Sequence, residues 1–208
     1  MLNYSTIQGD ACALPIRDRS VDLILCAPPY WPQPEDRGDP RAIGGEETIA
    51  EYAMHICRMF VECRRVLRPE GLVVLCLGDG RRSYRRGVPW IVLFALEQAG
   101  WYFVREIIWD DRSDWPSYLL FLSPAQRPSF LVGGSVWSVA PEICVGYPFG
   151  VLPERICRLV IEGCSRPGQV VLDPVGGLGS VARVASSLGR VGISVELVLR
   201  YSRIGRDN

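Results

Sequence analysis

Short apolar runs alternate with longer amphipathic segments along most of the chain, and this alternation constrains the fold more than any other feature. Each apolar run is short and is closed by proline, glycine or a charged residue, as expected of strands buried on both faces. The amphipathic segments repeat apolar residues every three or four positions, which is typical of helices packed against a sheet. The predicted strands are 21–26, 72–77, 102–109, 169–172 and 191–195, and the predicted helices are 48–67, 90–98, 153–164, 179–188 and 197–204.

Strands separated by helices of this length are joined by crossover connections. The pattern therefore predicts an α/β fold with a doubly wound, mostly parallel sheet covered on both faces. In such sheets, ligands bind at the carboxyl ends of the strands, near the point where the strand order reverses. Because no repeat, low-complexity segment or linker interrupts the 208 residues, we expect a single domain over 1–208.

The composition is that of an ordinary globular protein and excludes several classes of function. Hydrophobic residues make up 48% of the chain, yet no apolar run approaches the roughly 20 residues that a membrane span needs. The first residues lack the basic start and apolar stretch of a signal peptide, so a cytoplasmic location is expected. The eight cysteines form no Cys-x-x-Cys pair, which disfavours a zinc site. His55 is the only histidine and lies in a predicted helix, which disfavours a Ser-His-Asp hydrolase.

Two loops, each directly after a predicted strand, carry the residues that point to chemistry. The first reads Cys26-Ala27-Pro28-Pro29-Tyr30-Trp31. The second, from Asp173 to Ser180, reads Asp-Pro-Val-Gly-Gly-Leu-Gly-Ser. Its glycines allow tight turns and the close approach of a ligand, and the following helix would direct free N–H groups and a positive dipole at that ligand. Both loops are expected at the carboxyl edge of the sheet.

The first loop resembles the catalytic Pro-Pro-Tyr loop of the DNA amino-methyltransferases. The second resembles their S-adenosyl-L-methionine (AdoMet) loop, with Val175 and Ser180 where the family carries Phe and Thr. The catalytic loop comes first along the chain, which is the order of the permuted β class. The resemblance covers nearly the whole chain and implies a Rossmann-like fold and methyl transfer to the exocyclic amine of cytosine or adenine in DNA. It implies a catalytic half at about 1–109, a short recognition or connecting region at about 110–141 and a cofactor-binding half at about 142–208.

The resemblance also implies a cofactor site. Asp173 would pair with the methionine ammonium of AdoMet, and Glu196, at the end of the next strand, would bind the ribose hydroxyls. Segment 7–11 resembles the part that closes over the adenine, with Asp10 as acceptor, and segment 147–156 resembles the part that packs on the methionine end. The complete predicted set is Asp10, Ala11, Cys26, Phe149, Asp173, Pro174, Val175, Gly177, Gly179, Ser180 and Glu196.

The catalytic residues that the resemblance implies are those of the first loop. An exocyclic amine is a poor nucleophile because its lone pair is delocalised into the ring, and hydrogen bonds accepted from both amine protons free that lone pair. In the family, one acceptor is the side chain of the first motif residue and the other is the carbonyl of the first proline, while the aromatic ring stacks on a base flipped out of the helix. The predicted set is Ala27, Pro28, Pro29, Tyr30 and Trp31.

Ala27 stands where the family carries Ser, Asp or Asn, and its methyl group accepts no hydrogen bond. Such a loss costs roughly ten- to thousandfold in rate. Three interpretations are open: a natural alanine with slow chemistry or a substitute acceptor such as Gln33 or Asp36, an engineered inactivation, or a protein or subunit that binds AdoMet and DNA without catalysis. Because alanine differs from serine by one oxygen, a serine-like motif is favoured. Within the family that the chain resembles, a serine-like motif goes with N4 of cytosine as the target, and Trp31 fits the same subgroup. The resemblance therefore favours N4 of cytosine over N6 of adenine.

The net charge is zero and every basic residue is arginine, so nucleic-acid contacts must be local. Arginine binds phosphate through a planar fork, and four arginines lie between 81 and 86, after a predicted strand. The predicted nucleic-acid-binding residues are Arg81, Arg82, Tyr84, Arg85, Arg86, Arg37 and Arg41. Region 110–141 is short and apolar for a module that reads several bases, so we expect strongly salt-dependent and weakly sequence-dependent DNA binding. An RNA substrate, a homodimer and a separate specificity subunit are left open.

Overall fold

A computed structural model of the chain describes residues 3–32, 39–79, 86–112, 116–125, 130, 132–142, 144, 150–198 and 200–201. Residues 199 and 202–204 of the predicted closing helix at 197–204 lie outside these residues. So do several of the residues singled out above, namely Gln33, Asp36, Arg37, Arg81, Arg82, Tyr84, Arg85 and Phe149.

The strands of the described part of the chain form one sheet. They are β1 (Tyr4–Gln8), β2 (Val21–Cys26), β3 (Leu67–Leu77), β4 (Tyr102–Asp110), β5 (Ser117–Ser123), β6 (Val136–Ser138), β7 (Val170–Asp173) and β8 (Val191–Glu196). Their order across the sheet is β1-β8-β7-β2-β3-β5-β4-β6. Only β5 pairs antiparallel with its neighbours, and the other pairings are parallel.

The helices of the described residues are α1 (Ile49–Val66), α2 (Val88–Gln98), α3 (Glu154–Cys164) and α4 (Ser180–Ser187). Thr48 begins α1 with a capping box, because its hydroxyl accepts the Glu51 N–H while the Glu51 carboxylate accepts the Thr48 N–H. Pro89 lies in the first turn of α2, where its missing N–H costs nothing. The Asp79 carboxylate, just after β3, accepts the Val88 N–H at 2.6 Å and so caps α2.

The helices cover both faces of the sheet. One core packs α1 and α2 on the sheet around Ile24 and Phe60, and the other packs α3 and α4 around Leu25 and Ile161. The chain leaves β2 through α1 towards β3, and leaves β7 through α4 towards β8 on the other side. The strand order therefore reverses between β2 and β7, which pair directly. This arrangement confirms the predicted doubly wound, mostly parallel α/β fold.

Three parts of the sheet differ from the sequence-based prediction. Strand β1 was not predicted, because its five residues lie at the sheet edge and are largely exposed. Strand β3 begins at Leu67 and runs through the exposed Arg68-Pro69-Glu70, whereas the predicted strand begins only at residue 72. Region 110–141, for which no strand is predicted above, contributes β5 to the sheet interior and β6 to an edge. In the described part of the chain, no helix is long and apolar enough to cross a membrane.

Candidate active site

The Pro-Pro-Tyr loop leaves the end of β2 and is held in place from α1. Tyr52 is fully buried and its hydroxyl donates to the Pro29 carbonyl at 3.1 Å. The carbonyl of the second proline is therefore occupied by the protein. The rings of Pro28 and Pro29 fix φ on both sides of the Pro28 carbonyl, which limits how far that carbonyl can turn.

The Tyr30 ring is fixed at its edge and at its hydroxyl. The hydroxyl donates to Ser117 Oγ at 3.1 Å and lies 3.3 Å from Cys76 Sγ. The ring edge packs on Gly78, where a Cβ would come within 2.8 Å of the ring. Burial raises the pKa of the Tyr30 phenol well above its ordinary value, so the ring is neutral at physiological pH.

Trp31 is buried, with 4% of its surface exposed. Its indole N–H donates to the Glu46 carbonyl at 2.8 Å, in the segment before α1. The guanidinium of Arg86 lies 5.1 Å from the ring centroid, which is cation–π distance. Trp31 thus lies beneath the loop as a support. Of Arg41 and Arg86, the two predicted nucleic-acid-binding residues that the structure describes, Arg86 lies beside the catalytic loop. Arg41 is exposed and forms an ion pair with Asp39 at 2.7 Å.

The Asp173 carboxyl ends β7 and is almost completely buried. Burial raises its pKa to about 7, the N–H of Val175 opposes this as a 3.1 Å donor, and the charge of Glu196 adds to the rise. A buried carboxyl with a raised pKa, placed at the strand edge, indicates a functional site. Such a group would be stabilised in its charged form by a cationic ligand.

Glu196 holds the glycine turn. Its two carboxylate oxygens accept the N–H groups of Gly177 and Val198, each at 2.8 Å. Gly177 and Gly179 have positive φ values of 50° and 78°, a conformation that side chains other than glycine rarely adopt. The predicted tight turn is therefore present, and it is tied to the strand that follows the helix.

Gly176 is the glycine of this loop that packs closely against strand β8, a role that the sequence alone could not assign to it. A Cβ at this position would lie 1.8 Å from Ser194 Oγ on β8. Two strand positions earlier, a Cβ at Gly192 would lie 2.1 Å from the Ala182 carbonyl oxygen of α4. Small residues on this face of β8 let the turn and α4 lie directly on the sheet, a signal that sequence reasoning missed.

Asp10 lies just after β1, and β1 pairs with β8. Asp10 is therefore at the same edge of the sheet as Glu196, which ends β8. Its Oδ1 accepts the Cys12 N–H at 2.8 Å, and its backbone carbonyl accepts the Ala13 N–H at 3.0 Å. Ala11 between them is buried. The predicted adenine-side segment is therefore a closed turn with one carboxylate oxygen engaged by the backbone.

The catalytic loop and the AdoMet-type loop line one pocket. Its described walls are Ala27, Gly150, Val151, Leu152, Asp173, Val175, Gly176, Leu178, Ser180 and Val181. Ala27 after β2 thus faces the same space as the predicted cofactor residues Asp173, Val175 and Ser180. Cys26 is fully buried behind this wall, and burial raises its pKa well above the ordinary value.

Comparison with known proteins gives the family. The model of the N6/N4 methyltransferase family, described as DNA methylase, matches residues 21–130 and 146–207. Type II methyltransferase M.SmaI of Serratia marcescens is 28% identical over 89% of this chain and 83% of its own length. Type II methyltransferase M.XycI of Xanthomonas campestris pv. cyanopsidis is 28% identical over 100% of this chain and 88% of its own length.

Solved structures show the same fold. The PvuII DNA methyltransferase (cytosine-N4-specific) superposes with a TM-score of 0.83 at 18% identity, covering 98% of this chain and 85% of that one. A DNA modification methylase of Thermus thermophilus, TTHA0409, solved in complex with S-adenosyl-L-methionine, gives a TM-score of 0.74 at 21% identity, covering 99% and 93%. The chain belongs to the N4/N6 DNA methylase family, which confirms the predicted resemblance to the β-class, AdoMet-dependent DNA amino-methyltransferases.

Proposed function

We propose that this chain transfers a methyl group from AdoMet to N4 of cytosine in DNA. The observation that carries the proposal is that Ala27 of the Pro-Pro-Tyr loop and Asp173 of the glycine loop line one pocket. A base amine held by the first loop would therefore meet a cofactor held by the second. Positioning of two reactants accounts for most of what such a displacement needs.

The residues of the glycine loop fit AdoMet. When bound, AdoMet supplies a methyl group on a sulfonium centre. The buried Asp173 carboxylate would take its ammonium group, because a nearby positive charge stabilises the ionised form that burial disfavours. Glu196, at the end of β8, would accept the ribose hydroxyls, because a carboxylate oxygen can accept more than one hydrogen bond. Asp10, just after the neighbouring strand β1, would face the adenine. The proposed set is completed by Ala11, Cys26, Phe149, Pro174, Val175, Gly177, Gly179 and Ser180.

The catalytic loop would hold the target base. The Pro28 carbonyl would accept one proton of the exocyclic amine, and the fixed ring of Tyr30 would stack on the flipped base. Because Ser117 and Gly78 fix the tyrosine ring, little rotamer freedom is lost when a base stacks on it. Arg86, beside Trp31, would contact a flanking phosphate.

Ala27 lowers the expected rate of methyl transfer but leaves the rest of the proposed active site intact. The methyl group leaves one amine proton without an acceptor, which costs roughly ten- to thousandfold. Ala27 differs from serine by one oxygen and is followed by Pro28-Pro29-Tyr30-Trp31. Cytosine N4 is preferred to adenine N6 because a serine-like motif of this kind goes with cytosine N4 in the family. The fold neighbour with a TM-score of 0.83, which is described as cytosine-N4-specific, gives this choice further support.

The test identifies the modified base. The chain and its Ala27→Ser variant are incubated with AdoMet labelled on the methyl group and with mixed-sequence DNA, and the digested nucleosides are separated by mass spectrometry. We expect label in N4-methylcytosine. Label in N6-methyladenine would support methyl transfer to DNA by this chain but would overturn the proposal that cytosine is the target base.

One alternative is favoured by a specific observation. Because Ala27 supplies no acceptor, the chain would bind AdoMet and DNA without methylating it, alone or as a subunit of a complex. This alternative predicts AdoMet binding without label transfer by the unmodified chain. Transfer by Ala27→Ser alone would then identify residue 27 as the position that silences an intact site.

A further inference from the structure

Helix α1 directs two buried side chains of one face at the Pro-Pro-Tyr loop. Tyr52 and His55 lie three positions apart, so they project from the same side of the helix. The first reaches the loop directly, and the second reaches it through Glu46, in the segment before α1. Neither side chain is among the described walls of the proposed catalytic pocket, so any effect that they have on the reaction is exerted through the loop.

The Tyr52 hydroxyl holds one peptide plane of the loop. It donates to the Pro29 carbonyl at 3.1 Å. The Pro28 carbonyl, which is the proposed acceptor for the base amine, belongs to the preceding peptide plane. The φ and ψ angles of Pro29 separate these two planes, and the proline ring fixes φ. Only ψ of Pro29 is therefore free between the carbonyl that Tyr52 holds and the carbonyl that would hold the base.

His55 acts on the other side of Tyr30. Its Nδ1 lies 2.6 Å from Glu46 Oε1, and Glu46 Oε2 accepts the N–H of Gly44 at 2.9 Å. The backbone carbonyl of Glu46 accepts the indole N–H of Trp31 at 2.8 Å. The side chains of His55 and Glu46 are 5% and 11% exposed, so water competes little for the hydrogen bond between them. Because both carboxylate oxygens are engaged, the segment that holds Trp31 is itself fixed to α1.

The residues before and after Tyr30 are thus both tied to one face of α1. Methyl transfer depends on the alignment of the amine with the methyl group, and a displacement of about 1 Å can cost roughly a hundredfold in rate. The proposed cofactor residues lie on a different loop, whose glycine turn is held by Glu196. A change at the α1 face is therefore expected to affect the rate of transfer and not the affinity for AdoMet.

We propose that Tyr52 and His55 are positioning residues for methyl transfer, which orient the Pro28 carbonyl and the Tyr30 ring without touching either reactant. Tyr52 sets the direction of the carbonyl, and His55, through Glu46 and Trp31, sets the place of the ring. This proposal rests on the proposed function, because it assigns both side chains to the same reaction.

The first experiment separates methyl transfer from cofactor binding. Tyr52→Phe removes one oxygen and little packing volume, and His55→Leu removes the donor to Glu46. Both are made in the parent chain and in Ala27→Ser, and the single-turnover rate and the Kd for AdoMet are measured. We expect rates roughly ten- to a hundredfold below that of the matching background, at a Kd unchanged within about twofold. Unchanged rates in the folded variants, or a loss of rate that only follows a loss of AdoMet affinity, would overturn the proposal.

Two further variants control for the loss of a buried polar group. Ser123→Ala removes a fully buried hydroxyl that donates to the Gly71 carbonyl at 3.5 Å, at the opposite edge of the sheet, and should leave the rate unchanged. His55→Asn keeps a donor, because its amide nitrogen is as many bonds from Cα as Nδ1 is, and should recover most of the rate that His55→Leu loses. A loss in Ser123→Ala as large as that in Tyr52→Phe would contradict the assigned role.

A second experiment needs no methyl transfer. The indole N–H groups of Trp31 and Trp109 each donate to a backbone carbonyl at 2.8 Å, and both rings are buried. Their hydrogen exchange is followed by heteronuclear NMR, with the signals assigned by Trp31→Phe and Trp109→Phe. We expect exchange at Trp31 to be faster by about tenfold or more in His55→Leu, while the rate at Trp109 stays unchanged. Parent-like exchange at Trp31 in this variant would overturn the role of His55.

The two experiments distinguish failure of this proposal from failure of the proposed function. If the parent chain and Ala27→Ser both bind AdoMet but transfer no methyl group to DNA, the proposed function fails. The exchange of the Trp31 indole then still decides whether His55 holds the loop. If both transfer methyl groups and the α1 variants do so at the same rates, the proposed function stands and the positioning role is wrong.

Discussion

At the residue scale, the cost of burying Asp173 indicates its role. Burial raises the pKa of its carboxyl to about 7, whereas the pKa of an aspartate in the unfolded chain is about 4. The folded chain therefore binds the carboxyl proton more tightly than the unfolded chain does. By linkage, the folding stability falls as the pH rises from about 4 to about 7, and the full cost is present above that range. A buried carboxylate that lowers the folding stability at neutral pH is expected in a binding site, where a bound ligand offsets the cost of its burial.

Asp173→Asn should therefore stabilise the free chain and weaken AdoMet binding. Without AdoMet, the Tm of the variant should exceed that of the parent chain at pH 8, and the difference should shrink towards pH 5. With AdoMet, the loss of a charged hydrogen-bond partner should raise the Kd roughly ten- to a hundredfold at pH 8. The affinity of the parent chain should fall as the pH drops below about 7, because the carboxyl is then protonated in the free protein. Melting curves and calorimetric titration at both pH values measure these effects, and an unchanged Kd in the variant would contradict the assignment.

The sequence could predict the residues of the two loops but not the contacts that fix them. Tyr30 and Glu196 belong to recognisable loop and strand-end positions. Ser117, which holds the Tyr30 hydroxyl, comes from a strand 87 positions further along the chain. Ser194 contacts Gly176 only because β8 pairs with β7 in a register that places Ser194 opposite Asp173. Such partners depend on strand pairing, which periodicity in one sequence does not determine.

At the element scale, the strands next to the switch point were predictable and those near the sheet edges were not. Strands β2, β7 and β8 are apolar runs buried on both faces, and the predicted boundaries agree with the structure to within one residue. Strand β1 is a largely exposed edge, where hydrophobic patterning is weak. Strand β5 is a clear apolar run, but its antiparallel insertion between β3 and β4 depends on tertiary pairing.

Helix α4 presents its N-terminus to the proposed cofactor site because it lies directly on β8. Gly192→Ala should push this helix away from the sheet, since the added Cβ would lie 2.1 Å from the Ala182 carbonyl oxygen. We expect a loss of about 1–3 kcal/mol in the free energy of unfolding, the usual cost of overpacking, together with weaker AdoMet binding. Gly133→Ala is the matched control, because a Cβ there would meet no atom within 4 Å. Urea denaturation of both variants makes the comparison, and equal losses would show that the close packing of α4 does not matter.

At the scale of the whole molecule, much of the described chain builds the sheet and the helices that cover it. Region 110–141, predicted to be a short recognition or connecting region, supplies β5 and β6 to that sheet. The net charge is zero, so phosphate binding has to come from local groups such as Arg86 beside Trp31. The two strands that the structure describes in this region thus serve the fold.

DNA binding should accordingly depend strongly on salt and weakly on sequence. Each phosphate contact contributes about 0.9 to the slope of log K against log salt concentration, and we expect a slope set by several contacts. Affinities for unrelated duplexes of equal length should agree within about tenfold, because base-edge contacts add roughly 1–3 kcal/mol each when present. Fluorescence anisotropy with a panel of duplexes at several salt concentrations measures both quantities. A single short site bound far more tightly than the rest would show that recognition elements were missed.

The central claim is that the Ala27 loop and the Asp173 loop serve one reaction on DNA. The most direct test is the single-turnover rate of methyl transfer from labelled AdoMet to DNA, measured in parallel for the chain and for Ala27→Ser. We expect transfer by both proteins, with Ala27→Ser faster by roughly ten- to thousandfold because the serine hydroxyl restores an acceptor for the amine. Saturating AdoMet binding with no transfer by either protein would contradict it.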